Sequence, residues 1–195
     1  MRPNPGNKEN RDHKSAALIV IDMVTDFEFE DGDELLRRTL PVAEKLKELK
    51  ERAHAASVPV IYVNDNFGKW QEDFKTMAAR FAEPAEKGSE VVAKIMPGEE
   101  DYYVLKPHRS AFYSTTLEVL LRHLEIKKLV ITGVTTDICI LFSANDAYMR
   151  GFDVVVPSDC VAAVKQSYSN EALDLIQRVI KADISPSADI TFQNK

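Results

Sequence analysis

A three-layer α/β/α fold around a mostly parallel central sheet is what this sequence predicts, and three observations lead there. Short apolar runs that end in polar residues alternate with longer stretches of helical periodicity, the βαβα order that builds parallel sheets. The runs are apolar throughout, as in Ala16-Ala17-Leu18-Ile19-Val20-Ile21, and such strands are covered on both faces. The chain has 195 residues, enough for one sizeable core and short for two. Residues 15–195 are therefore expected to form a single domain. Residues 1–14 carry Pro3, Asn4, Pro5, Gly6 and many charges, and are expected to form a flexible tail.

The first strand is predicted over residues 16–21, ending in Asp22. Residues 34–56 follow as a helix, with Leu35, Leu36, Leu40, Val42, Ala43, Leu46, Leu49 and Ala53 tracing one apolar stripe. A second strand spans 58–63 and ends at Asn64-Asp65-Asn66. Residues 67–100 form a longer excursion. Helical stretches are predicted at 70–81 and 90–96, broken by Pro84 and Gly88, and an insertion of this length beside a sheet often carries substrate contacts or a lid. The third strand covers 102–105 and ends at Lys106-Pro107. A helix over 115–124 with Ser114 as its cap comes next.

The run Leu129-Val130-Ile131-Thr132 is the fourth strand, broken by Gly133. Thr136 or Asp137 is predicted to cap the next helix, with Ile138, Leu141, Phe142, Asn145 and Tyr148 on one face and Gly151 as the stop. Strand five covers 152–156, a last helix 170–180, and an edge strand lies near Asp183-Ile184. No internal repeat or low-complexity stretch is visible.

Cys139 falls in the first turn of a helix, just past the carboxyl end of a strand, where ligands of open α/β sheets bind. Unpaired N–H groups and the helix dipole favour a thiolate there and are expected to lower the thiol pKa. A lone cysteine is more often a small buried hydrophobe, so partners elsewhere in the chain decide. The strands end in Asp22, Asp65 and Lys106, with Cys139 one short turn beyond the fourth. In a parallel sheet these ends share one edge. A carboxylate that takes the thiol proton and an ammonium that stabilises the thiolate make a coherent set. Each also has a plainer role: Asp caps loops, and Lys stays solvated. His108 is an unconvincing Cys-His partner, and Cys160 is expected to be merely packed.

Composition narrows the function. Hydrophobic residues make up 45% and charged residues 29%, ordinary values for a globular protein, and the formal net charge is −6. That balance opposes a nucleic-acid footprint, which needs clustered positive charge. No apolar run approaches the ~20 residues that span a bilayer. Residues 1–14 lack the apolar core of a secretion signal, so two reduced thiols and a cytoplasmic location are expected. The anticipated partner is a small-molecule substrate, with neither nucleic acid nor membrane.

Three blocks carry a family resemblance: Ile19-Val20-Ile21-Asp22-Met23 with Asp26-Phe27; Leu105-Lys106 with Ser110-Ala111-Phe112; and Gly133-Val134-Thr135-Thr136-Asp137-Ile138-Cys139 with Asp146-Ala147 and Gly151-Phe152. In this order they resemble the isochorismatase-like cysteine hydrolases over residues 16–185. The resemblance implies that fold, a catalytic triad of Asp22, Lys106 and Cys139, and an oxyanion hole from the backbone N–H groups of Thr135 and Cys139. It further implies a cis peptide at Val134-Thr135, no cofactor, and a homodimer or higher homo-oligomer. Phe27, Asn64, Asn66, Phe67 and Trp70, which follow strand ends, are the candidates for substrate contact, although each of the three aromatics taken singly is more often core than pocket.

Two departures refine the expectation. Metal-dependent nicotinamidases carry an Asp-x-His pair after the second strand, whereas this chain has Asn64-Asp65-Asn66-Phe67 and no His between His54 and His108. No metal is expected without those imidazoles. Isochorismatases proper lack the nucleophilic cysteine, which is present here and favours C–N over vinyl-ether hydrolysis. The expected activity is metal-independent cleavage of an amide or N-carbamoyl C–N bond through a thioester. The rivals are an ether hydrolase with Cys139 as bystander, and a small-molecule-binding or redox-sensing protein on the same scaffold.

Overall fold

The computed structural model describes residues 16–192. The tail expected over 1–14 lies outside them. The chain order is β1 (Ala16–Ile21), α1 (Gly32–Ala55), β2 (Val60–Asp65), α2 (Phe74–Phe81), α3 (Ser89–Lys94), β3 (Tyr102–Lys106), α4 (Leu117–His123), β4 (Lys128–Val134), a π-helical turn (Thr136–Ile140), α5 (Leu141–Met149), β5 (Asp153–Val155), β6 (Val161–Ala162) and α6 (Gln166–Ile180). The sheet runs β3-β2-β1-β4-β5, with β6 pairing the end of β4, and every pairing is parallel. All carboxyl ends therefore lie on one edge.

Strand alternation divides the core. Leu18 and Val20 point to one face and meet Leu46 and Leu49 of α1, Tyr62, Phe74 and Phe81. Ala17, Ile19 and Ile21 point to the other and meet Leu117 and Leu121 of α4, Ala144 and Ala147 of α5, and Ile176 of α6. β1 is buried at every position, as its unbroken apolar run requires. In register, Ile21 pairs Val63 of β2 on one side and Gly133 of β4 on the other.

Several boundaries differ from the sequence-based ones for local reasons. α2 starts at Phe74 rather than residue 70, because Asp73 caps it: Thr76 N–H donates to its Oδ1 at 3.0 Å. Each short helix of the excursion packs one side into the core. Phe74, Met77, Phe81, Val91, Val92 and Ile95 are buried on the α1 face, and Lys50 of α1 holds its end through the Met96 carbonyl. Neither Ser114 nor Thr136 nor Asp137 caps a helix with its side chain. The predicted inner face of α5 is reversed. Ser143, Ala144 and Ala147 are buried, the two alanines against the β1 side chains Ala17, Ile19 and Ile21, while Phe142 and Tyr148 are about half exposed. The edge strand near Asp183 is a single bridge to Val155. Among the described residues no helix is long and apolar enough to cross a membrane.

Candidate active site

The site forms where β1, β2, β3 and β4 end together. β1 stays paired to its last residue, and Asp22 N–H still donates to the Val63 carbonyl at 3.1 Å. Asp22 then turns left-handed (φ 51°), a conformation aspartate tolerates better than most residues. That turn leaves its carboxylate at the sheet edge, where Oδ1 accepts Asp65 N–H at 2.7 Å. One strand beyond β2, Lys106 closes β3 with its side chain 1% exposed. Its Nζ lies 2.8 Å from Asp22 Oδ2, donates to the His108 carbonyl at 3.0 Å, and reaches Cys139 Sγ at 3.6 Å and Asp65 Oδ2 at 3.8 Å.

Cys139 is presented by the tight turn after β4. Gly133 is held there by close approach to β1. It has φ +115°, and a Cβ on it would lie 2.0 Å from the Ile21 carbonyl oxygen. The Val134–Thr135 peptide is cis. Ile140 N–H donates to the Thr135 carbonyl, closing a π turn around Cys139. Such turns are rare and often mark functional positions. A buried hydroxyl pair, Thr136 to Ser169 at 2.6 Å, ties it to α6. Among the described residues Thr135 Oγ1 is the one buried side-chain oxygen or nitrogen without a hydrogen-bond partner.

The electrostatics reverse one expectation. The helix terminus was expected to lower the Cys139 pKa; instead burial, aided by the Asp22 charge, pushes the thiol up to about 12, against the pull of Lys106. Burial also raises the Asp22 carboxyl above its ordinary value despite Lys106. Burial alone would lower Lys106, but Asp22, Cys139 and Asp65 outweigh it, so the ammonium is held above the usual lysine value. The thiol therefore rests protonated, with its sulfur and the Asp22 carboxyl both facing the Lys106 ammonium.

The structure thus brings Asp22, Lys106 and Cys139 together, with the backbone of Thr135 beside them. It does not bring all the candidate contact residues. Phe27 is 0% exposed and belongs to the core. Asn64 is buried too, and its amide clamps Val24, accepting from its N–H at 3.1 Å and donating to its carbonyl at 2.9 Å. In this arrangement both are engaged by the scaffold, Phe27 by the core and Asn64 by Val24. Asn66 Oδ1 accepts Gly68 N–H, closing a turn. Phe67 is partly exposed and packs edge-on against Phe81, and Trp70 presents 78% of its surface to solvent. Cys160 is fully buried.

Sequence reasoning missed the clamp that fixes the loop after β3. Ser110 hydroxyl donates to the Asp146 carboxylate, Ala111 N–H donates to Ser143 Oγ at 2.9 Å, and Arg150 holds Asp146 at 2.7 Å. These bonds join the Lys106 loop to the helix that follows Cys139. Only the recurrence of Ser110 and Asp146 in the resemblance blocks hinted at it.

Comparison with known proteins settles the family. The isochorismatase domain model matches residues 16–184. The chain belongs to the isochorismatase family. An uncharacterized isochorismatase family protein of Bacillus subtilis, YaaI, is 37% identical, covering 89% of this chain and 95% of that protein. A ureidoacrylate amidohydrolase of Acinetobacter baylyi is 27% identical over 77% of this chain and 72% of its own. Among solved structures, the N-carbamoylsarcosine amidase of Thermoplasma acidophilum is 28% identical, with TM-score 0.68 over 90% of this chain and 98% of that one. As a member of the isochorismatase family this chain is an α/β hydrolase with a parallel central sheet.

Proposed function

We propose that this isochorismatase-family hydrolase is a cysteine amidohydrolase. It cleaves the C–N bond of a small amide or N-carbamoyl compound without a metal ion. The observation that carries the reading is the meeting of Cys139, Asp22 and Lys106, with Lys106 Nζ 2.8 Å from the carboxylate and 3.6 Å from the sulfur. The names of the Acinetobacter and Thermoplasma relatives, a ureidoacrylate amidohydrolase and an N-carbamoylsarcosine amidase, support the substrate class.

In this mechanism Asp22 accepts the Cys139 proton, and Lys106 stabilises the thiolate as it forms. The thiolate attacks the carbonyl carbon. The oxyanion is held by the backbone N–H groups of Thr135 and Cys139, donors of a kind each worth ~2.7–4 kcal/mol of barrier. Asp22 then gives its proton to the departing amine, and the C–N bond breaks to leave a thioester. Water, deprotonated by Asp22, attacks the thioester, and the thiol is released and reprotonated.

The metal-independent part rests on the donors present after β2. Asp65 Oδ1 accepts Phe67 N–H at 2.6 Å and Asn66 Oδ1 accepts Gly68 N–H at 3.0 Å, so these oxygens are engaged by backbone. No imidazole stands near them in sequence, and imidazoles are the ligands such a centre would draw on. Ammonia release across a panel of primary amides and N-carbamoyl compounds tests the proposal, with Cys139→Ala as control. Turnover abolished by that substitution supports it. Turnover retained would make Cys139 a bystander, as ether hydrolysis requires.

A further inference from the structure

Lys106 has more acceptors than hydrogens. Its ammonium carries three N–H donors. Two are committed, to Asp22 Oδ2 at 2.8 Å and to the His108 carbonyl at 3.0 Å. The third faces two acceptors at nearly equal range, Cys139 Sγ at 3.6 Å and Asp65 Oδ2 at 3.8 Å. A thiol sulfur is a weak acceptor and a carboxylate a strong one. Asp65 is also held in place, because its other oxygen accepts Phe67 N–H at 2.6 Å and its own N–H donates to Asp22.

We propose that Asp65 is a positioning residue that competes with Cys139 for the third N–H of Lys106. The inference rests on the cysteine-hydrolase reading above. In the resting site the third N–H is shared between the neutral thiol at 3.6 Å and the Asp65 carboxylate at 3.8 Å, and the thiol keeps its proton. When Asp22 takes that proton, the new thiolate out-competes Asp65 and the third N–H swings to sulfur. When the thioester forms, the sulfur is neutral again and Asp65 regains its share of the N–H. Lys106 thus stays charged and fully bonded through the cycle while Asp22 gains and loses a proton beside it. The charged and titratable groups facing this ammonium are Asp22 from β1, Asp65 from β2 and Cys139 from the turn after β4; from the β3 loop it meets the His108 carbonyl, whose imidazole instead packs on Tyr113. The Coulombic influence of Asp65 on Lys106 agrees with this arrangement.

Asp65→Asn tests it, since the amide oxygen still accepts Phe67 N–H while the charge is gone. Alkylation of Cys139 in the full chain by iodoacetamide is followed from pH 6 to 10. Peptide mass mapping keeps Cys139 apart from Cys160. The expected result is a rate–pH curve moved to lower pH by about one unit, or about tenfold faster alkylation at pH 8, as loss of a charge this close allows. Asp65→Ser, which keeps a turn-forming oxygen, is the second variant and is expected to move the curve the same way. An unchanged curve in a natively folded variant, or one moved to higher pH, overturns the proposal. A role confined to the turn would not move the curve. The readout needs no substrate, so it is separable from the function itself: turnover surviving Cys139→Ala removes the catalytic reading, whereas an unmoved alkylation curve removes only Asp65.

Discussion

Replacing Lys106 by Met keeps the length and apolar bulk of the side chain and removes its charge. Asp22 would then sit at the sheet edge, its side chain 16% exposed, with its ion-pair partner at 2.8 Å gone and the Asp65 N–H retained. Breaking a buried pair by deleting one partner costs ~3–5 kcal/mol, because the remaining charge is uncompensated. The retained N–H and the slight exposure place this case at the lower end, about 3 kcal/mol. For a chain of this size that corresponds to a Tm lower by ~6–12 °C. The pH dependence has a definite sign. The Asp22 carboxyl already lies above its ordinary value in the fold and would be raised further without Lys106. A raised acid binds more protons in the native state, so the deficit relative to wild type is fullest above its folded pKa. It shrinks as pH falls through that value and is gone below the folded pKa of Asp22 in the wild type, because the unfolded carboxyl is common to both proteins and cancels. Urea unfolding at pH 7.5 and 5 measures both. Adding Asp22→Asn to Lys106→Met removes the orphan charge and is expected to restore most of the loss, since a neutral pair costs little. A Lys106→Met deficit below ~1 kcal/mol at pH 7.5, or strict additivity in the double variant, would refute the reasoning.

Three further outcomes follow from the same geometry. Brief iodoacetamide treatment near neutral pH is expected to label Cys139 before Cys160: burial pushes both thiols up to about 12, but only Cys160 is fully closed off from solvent. Mass mapping reads the order, and preferential labelling of Cys160 would contradict it. Gly133→Ala places a Cβ 2.0 Å from the Ile21 carbonyl oxygen at φ +115°, and is expected to cost at least ~4 kcal/mol and lower soluble yield; a melting temperature within 2–4 °C of wild type, the shift for ~1 kcal/mol, would count against that packing. Activity on the best amide of the panel is expected to survive prolonged EDTA treatment, and loss reversed by zinc would overturn the metal-independent reading.

Much of this was legible in the sequence because the physics is local or periodic. The run Ala16–Ile21 marks β1 to the residue, since a strand buried on both faces needs apolar side chains throughout. The convergence of Asp22, Lys106 and Cys139 follows from parallel strands sharing one carboxyl edge. What was not legible depends on distances between elements. Nothing in the composition of α5 shows that its small residues Ser143, Ala144 and Ala147 face the sheet, because closeness of approach is a tertiary property. Asn64 resembles a binding residue in sequence and proves to be a clamp on Val24, forty residues away. The helix terminus suggested an acidic thiol, but burial and the Asp22 charge outweigh it, and neither appears in the sequence around Cys139. β6 has two residues and no periodicity to detect.

The most direct test of the cysteine-hydrolase account is the mass of the intact protein, acid-quenched during turnover of the best amide or N-carbamoyl substrate. The account predicts an adduct equal to the acyl or carbamoyl group, mapped to the peptide holding Cys139 and lost when the sample is incubated with hydroxylamine. Undiminished turnover in Cys139→Ala, with no adduct on the wild-type protein, would contradict it.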